Sequence, residues 1–187
     1  MPIRLTAPID AEALRTLRAG DRVLLSGVIY TARDAAHARL IAALSEGRPL
    51  PVDLRGQTIY YAGPSPTPPG RASGSIGPTT SMRMDPYTPA LLHYGVNALI
   101  GKGGRSPSVK EVLTETGSVY FAAIGGCAAY MAACIRQLDV VAYEDLGTES
   151  IKRLLIEDMP LTVAIDSLGQ DAYQQGVDAY LAGYMHE

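Results

Sequence analysis

Short apolar runs alternate with amphipathic stretches along most of the chain, and this alternation predicts an α/β fold with a central sheet flanked by helices. Asp10–Leu17 (DAEALRTL) reads as a helix with Asp10 as its N-cap. Asp21–Ile29 (DRVLLSGVI) reads as a strand. Arg33–Leu44 (RDAAHARLIAAL) reads as an amphipathic helix of good helix formers, and Thr58–Ala62 (TIYYA) as a short strand. The next segment, GPSPTPP, holds four prolines, which forbid regular structure and stiffen the path. Gly70–Ile76 has room for another short strand. Pro86–Tyr94 predicts a helix capped by Asp85, with Pro86 in its first turn. Beyond it come a strand at Ala98–Ile100, a helix at Pro107–Thr116, a strand at Ser118–Ala123 and a helix at Gly126–Ile135. A strand at Val140–Tyr143, a helix at Ser150–Leu155, a strand at Leu161–Ile165 and a closing helix at Asp171–Tyr184 complete the pattern. No internal repeat and no clear boundary interrupts it, so the expectation is one domain over residues 1–187.

Composition narrows the class. Apolar residues make up 47% of the 187 positions and the formal net charge is −3, so the chain can bury a core and carries no basic stripe for nucleic acid. No apolar run reaches the ~18 residues of a membrane span, and the first residues lack the apolar stretch of a secretory signal. The expectation is a cytoplasmic protein without a membrane or nucleic-acid partner. Cys127 and Cys134 lie seven apart in a predicted helix. That is roughly 10.5 Å of rise, too far for a mutual disulfide, so both read as core thiols.

Three basic residues stand among polar, turn-forming neighbours at element ends: Arg33 in YTARDAAH, Arg83 in GPTTSMRMD and Lys102 in GKGGRS. They are either unrelated surface charges or a convergent site for a di-acid, with arginine forks on carboxylates and lysine as a point charge. GKGGRS lacks the spacing of a phosphate-binding P-loop. The paired glycines of IGGCAA, Gly125 and Gly126, suit either an anion at a helix start or a tight turn. His37 follows Arg33 by one helical turn and Asp34 lies beside it, yet no serine or cysteine is placed to complete a nucleophilic triad. His93 reads as a helix-end residue, and His186 sits in the tail. No third ligand makes a metal triad.

GPTTSMRMDPYTP, IGKGGRS, YFAAIGGCAAYMA, VVAYEDLG and AIDSLGQDAY occur in that order, with YTARDAAH before them. Together they resemble the beta subunit of the class I, iron–sulfur-dependent fumarate hydratases, a family that includes the beta subunit of L-tartrate dehydratase. The resemblance runs from about Ile3 to Tyr173. It implies a swivelling β/β/α domain. It also implies a partner alpha subunit whose three cysteines hold a four-iron–four-sulfur cluster, with no cluster on this chain. Arg33, Arg83 and Lys102 would bind the carboxylates of a small dicarboxylate, and Thr79 would be the catalytic hydroxyl. Asp34, His37, Thr80, Gly125 and Gly126 would support them from behind. The activity implied is reversible hydration of fumarate to L-malate in a hetero-oligomer, with homodimerisation as the state of an isolated chain. Met82 stands where a glycine is common in the fumarases and is also similar to the tartrate dehydratases, so dehydration of L-tartrate or another 2-hydroxy-diacid is the alternative. A non-catalytic small-anion-binding module would carry the same residues.

Overall fold

The run RVLLSGVIYT forms β2 (Arg22–Thr31), the strand on which the sheet closes. A computed structural model of the chain describes residues 1–184. In it β2, β3 (Thr58–Tyr60), β4 (Ala98–Gly101) and β5 (Val119–Ala122) lie side by side, each parallel to the next. The long β7 (Ile151–Ile165) runs antiparallel to both β5 and β2. Its pairing with both closes a five-strand barrel. Two strands extend the sheet: β1 (Ile3–Ala7), parallel to β2, and β6 (Ile135–Ala142), antiparallel to β7.

Six helices accompany the sheet among the described residues: α1 (Ala11–Thr16), α2 (Asp34–Ser45), α3 (Thr88–Tyr94), α4 (Pro107–Thr116), α5 (Ala128–Ala133) and α6 (Ala172–Tyr184). The side-chain period of two sorts the core into two layers. Tyr60, Ile100, Val119 and Phe121 pack with Leu25 and Val163 inside the barrel, together with Leu14 and Leu17 from α1. Their sequence neighbours Ile59, Tyr61, Leu99 and Tyr120 point outward and meet Leu40 of α2, Leu91 of α3 and Leu113 of α4.

Asp10 caps α1 as expected, accepting from Glu12 N at 2.7 Å. Several expectations change. Ser150–Leu155 is not a helix but the start of β7, hydrogen-bonded to β6 on one side and β2 on the other. Gly70–Ile76 forms no strand, and Ile3–Ala7, to which no element was assigned from the sequence, forms β1. Asp85 does not cap α3, which begins at Thr88. Its carboxylate instead accepts from Arg105 Nε and from Ser106 N, both at 2.7 Å. Among the described residues no helix is long and apolar enough to cross a membrane. His186 lies outside the described residues.

Candidate active site

Four parallel strands bring their carboxyl ends to one edge of the barrel, where α/β sheets gather ligands. The predicted site residues follow those ends. Arg33 comes two residues after β2 and precedes α2. Thr79 is anchored just beyond β3, its N–H donating to Tyr61 O at 2.7 Å. Arg83 sits in a 3₁₀ turn, Ser81–Met84. Lys102 directly follows β4, and Gly125 and Gly126 follow β5.

Arg33 and Arg83 converge on one carboxylate. Asp34 Oδ1 accepts from Arg83 Nε at 2.9 Å and lies 2.9 Å from Arg83 Nη2. Asp34 Oδ2 stands 3.7 Å from Arg33 Nη2. Glu149 Oε1 lies 3.7 Å from the same Arg33 nitrogen, while Glu149 Oε2 accepts from Ala35 N at 2.8 Å. Glu149 therefore ties the arginine to the first turn of α2, where a carboxylate also meets the helix dipole. The Arg33 side chain lies against Gly63. A Cβ there would come within 2.8 Å of Thr148 O and 3.3 Å of Arg33 Cδ, so the slot needs glycine. Arg33 Nε and Asp34 Oδ2 are buried and, among the described residues, make no hydrogen bond.

Lys102 is joined to the same segment through its backbone. Its N–H donates to Ser81 Oγ and its carbonyl accepts from Ser81 N, each at 3.0 Å. Gly101 makes this approach possible, since a Cβ there would lie 1.9 Å from Ser81 Oγ. The Lys102 side chain passes Gly125, where a Cβ would rest 3.5 Å from its Cδ and 3.9 Å from its Nζ. Among the described residues Lys102 makes no ion pair and the Thr79 hydroxyl no hydrogen bond. Thr79 is half-buried, whereas Thr80 is exposed and pairs its backbone with Lys102.

His37 does not face the site as an acid or base. It is fully buried in α2, its Nδ1 donating to Arg33 O at 2.9 Å and its ring edge-on to Tyr61 at 5.3 Å. Burial, reinforced by the nearby Arg105 charge, pushes its pKa down to about 4, so the imidazole is neutral at pH 7. Its role is to hold the Arg33 carbonyl. His93 lies in the last turn of α3, near Glu115, as a helix-end residue.

Two buried cations were missed. Arg105 belongs to the same GKGGRS segment as Lys102, yet its side chain is 0% exposed and pairs with Asp85. Lys152 is buried in β7. The three N–H groups of its ammonium are shared among Gly147 O, Thr148 O, Ser150 O and Ser150 Oγ, which lie 2.7–3.2 Å away, locking the turn that carries Glu149. Alternation along IKRLLI would have turned Lys152 inward, but the helical reading of that stretch hid it.

The cysteines are not gathered. Cys134 closes α5 and is buried, with desolvation raising its thiol pKa, while Cys127 heads the helix and is only half-buried, contrary to its reading as a core thiol. Among the described residues no group of three or more His, Cys, Asp or Glu side chains is placed to hold a metal ion.

The family model described as Fumarase C-terminus matches residues 1–176. The chain belongs to the Fumarase C-terminus family. Relatives within reach of this Fumarase C-terminus chain include the class I anaerobic fumarate hydratase of Escherichia coli (strain K12), 42% identical over 163 residues, which are 86% of this chain and 30% of that protein. Fumarate hydratase 2 of Leishmania major is 38% identical over 177 residues, 92% of this chain and 31% of that protein. The chain thus spans about a third of the length of these curated relatives. A protein of Methanocaldococcus jannaschii, provisionally named L(+)-tartrate dehydratase subunit beta, is 38% identical over 173 residues, 89% of each chain. These relatives are named as fumarate hydratases and as a tartrate dehydratase subunit.

Proposed function

We propose that the chain is the beta part of an iron–sulfur hydro-lyase that reversibly hydrates fumarate to L-malate, and that it supplies the carboxylate-binding and proton-moving side chains. The observation that carries this reading is Asp34. The Asp34 carboxylate already lies within reach of both Arg33 and Arg83, so each guanidinium is presented where a carboxylate can be taken up. Substrate carboxylates would compete for the same forks, with Lys102 as a further positive charge from the neighbouring strand end.

The chemistry assigns the roles. Dehydration of malate removes a proton from carbon beside a carboxylate, and that carbon acid is weak. Positive charge on the adjoining carboxylate stabilises the aci-carboxylate that forms, and Arg83 with Lys102 suits this. Arg33 would hold the distal carboxylate and fix orientation. Thr79, unpaired at its hydroxyl, would move the proton. A threonine hydroxyl is too weak a base alone, so the partner must supply an acid or base next to it.

The two cysteines stand at opposite ends of α5 and do not fit an iron–sulfur cluster, which needs converging thiolates. The cluster of the assembled enzyme would therefore belong to an alpha part. A relative named as a beta subunit, and fumarate hydratases roughly three times longer than this chain, support a partner of that kind. The exposed Tyr173, Val177 and Leu181, spaced by one helical turn along α6, fit an interface. The barrel with its flanking helices is, on this reading, one swivelling β/β/α domain.

Dehydration of L-tartrate is the second reading. The tartrate dehydratase relative is matched along 89% of its own length, and Met82, exposed beside Arg83, is similar to that branch. Anaerobic co-expression with an alpha chain, followed by assays on fumarate, malate and tartrate, separates the two. Tight dicarboxylate binding without turnover on any of them would favour an anion-binding module instead.

A further inference from the structure

We propose that Arg105 is the positioning residue that holds Lys102 and Arg83 together as one grip on a carboxylate, and so fixes how far that grip stands from Arg33 and the length of dicarboxylate the site accepts. The inference rests on the dicarboxylate reading above. Arg105 cannot touch a substrate, because its side chain is 0% exposed. It joins the two segments that carry the cations. It lies three residues beyond Lys102. Its Nε donates to Asp85 Oδ1 at 2.7 Å and its Nη2 to Thr88 Oγ1 at 2.8 Å, and Asp85 is two residues beyond Arg83. The second Asp85 oxygen accepts from Ser106 N at 2.7 Å, so the carboxylate grips the Lys102 loop twice. Tyr61 and Tyr120 present their rings to the guanidinium at 5.3 and 5.0 Å. Tyr120 OH closes the loop of contacts nearer the site, 2.9 Å from Ser81 Oγ and 2.8 Å from Gly103 O.

Stability alone is a poor account of this arrangement. Burying both charges of an ion pair costs desolvation energy that offsets their attraction, and hydrophobic replacements are often as stable. What the pair does supply is a second, side-chain tie between two loops whose backbones already meet at Ser81 and Lys102, so that their relative position is set at two points. Burial opposes the Arg105 charge, but Tyr61 and Asp85 outweigh it, so the guanidinium stays protonated and the clamp stays closed. A two-cation grip held in place on one carboxylate, with Arg33 on the other, selects a ligand by the separation of its carboxylates.

The test uses the assembled enzyme. Turnover constants are measured together with inhibition by malonate, succinate and glutarate, which differ only in chain length. Arg105→Lys keeps a charge opposite Asp85 but loses the planar fork to Thr88. The expected result is a folded complex whose kcat/KM falls by ~10²-fold, the scale of a small misplacement, and whose preference for succinate over the other two flattens. Tyr120→Phe, which changes no charge, should move the same ratio in the same direction by less, and it decides the matter if Arg105→Lys does not assemble. Reduced yield of complex with an unchanged inhibitor ratio overturns the inference and leaves Arg105 a structural residue. A wild-type complex inactive on every dicarboxylate overturns the functional reading itself, and this inference with it.

Discussion

Thr79 and Thr80 are adjacent, yet only one is placed to act. Thr79 is held by its N–H on Tyr61 O at 2.7 Å and is half-buried with its hydroxyl unbonded, whereas Thr80 is exposed. In the assembled enzyme Thr79→Val keeps the shape and removes the donor and acceptor. Its KM should change little while kcat falls by ~10²-fold or more, and Thr80→Val should do less. Weaker binding with intact turnover at Thr79 would mean that it only bonds a carboxylate. Arg83→Lys keeps charge but loses the fork on which Asp34 now sits. It should cost ~2–4 kcal/mol of transition-state stabilisation, and near-native turnover would make Arg83 a surface charge. At this scale the sequence showed that Arg33, Thr79, Arg83 and Lys102 stand among turn residues, and the fold puts all four beyond strand ends. It was silent on Arg105 and Lys152, because residue type does not distinguish a buried cation with partners from a solvated one. Asp85 misled for a related reason: an aspartate before a proline is a natural cap, and only the fold brings Arg105 to it.

The elements were legible where one face is apolar and ends are marked. Pro107–Thr116 is a helix with the boundaries its pattern predicts, and Gly117 ends it in a left-handed conformation. Ser150–Leu155 failed because Ile151, Leu154 and Leu155 fit a helical stripe as well as a strand. Pairing with β2 and β6 decides between them, and that is a long-range fact absent from any local window. The same strand start carries Lys152, whose ammonium, in contact with four oxygens, holds the Glu149 turn beside Arg33. Lys152→Met should lower stability by roughly 1.5–3 kcal/mol, the scale for charged donors, and raise KM through a loosened Arg33. Denaturation and steady-state kinetics read the two effects, and an unchanged KM would separate the turn from the site. His37 gives α2 a pH dependence. Its pKa falls from 6.5 to about 4 on folding, so the unfolded chain takes up a proton that the folded chain refuses. The stabilisation is complete above pH 6.5 and declines as pH falls toward 4, by on the order of 3 kcal/mol. His37→Gln should flatten that acid slope in denaturation measured across the same window, and a slope equal to wild type would assign it to other groups.

At the scale of the whole molecule, four parallel strand ends assemble a cationic rim that no single motif could display. The alternation of elements predicted an α/β fold, but barrel closure was invisible, since it depends on one long strand pairing with both β2 and β5. The rim carries Arg33, Arg83 and Lys102, with a free Thr79 hydroxyl and no gathered thiolates. Such a rim is half of a catalytic centre in the proposed account, and α6 leaves an apolar stripe for whatever completes it. The most direct measurement is a titration: fumarate hydration followed anaerobically as this chain is added to a fixed amount of its cluster-bearing partner. The account predicts no turnover from either chain alone and a rise that saturates at a fixed ratio of the two. Turnover by this chain without the partner, or none on any dicarboxylate at saturation, would contradict it.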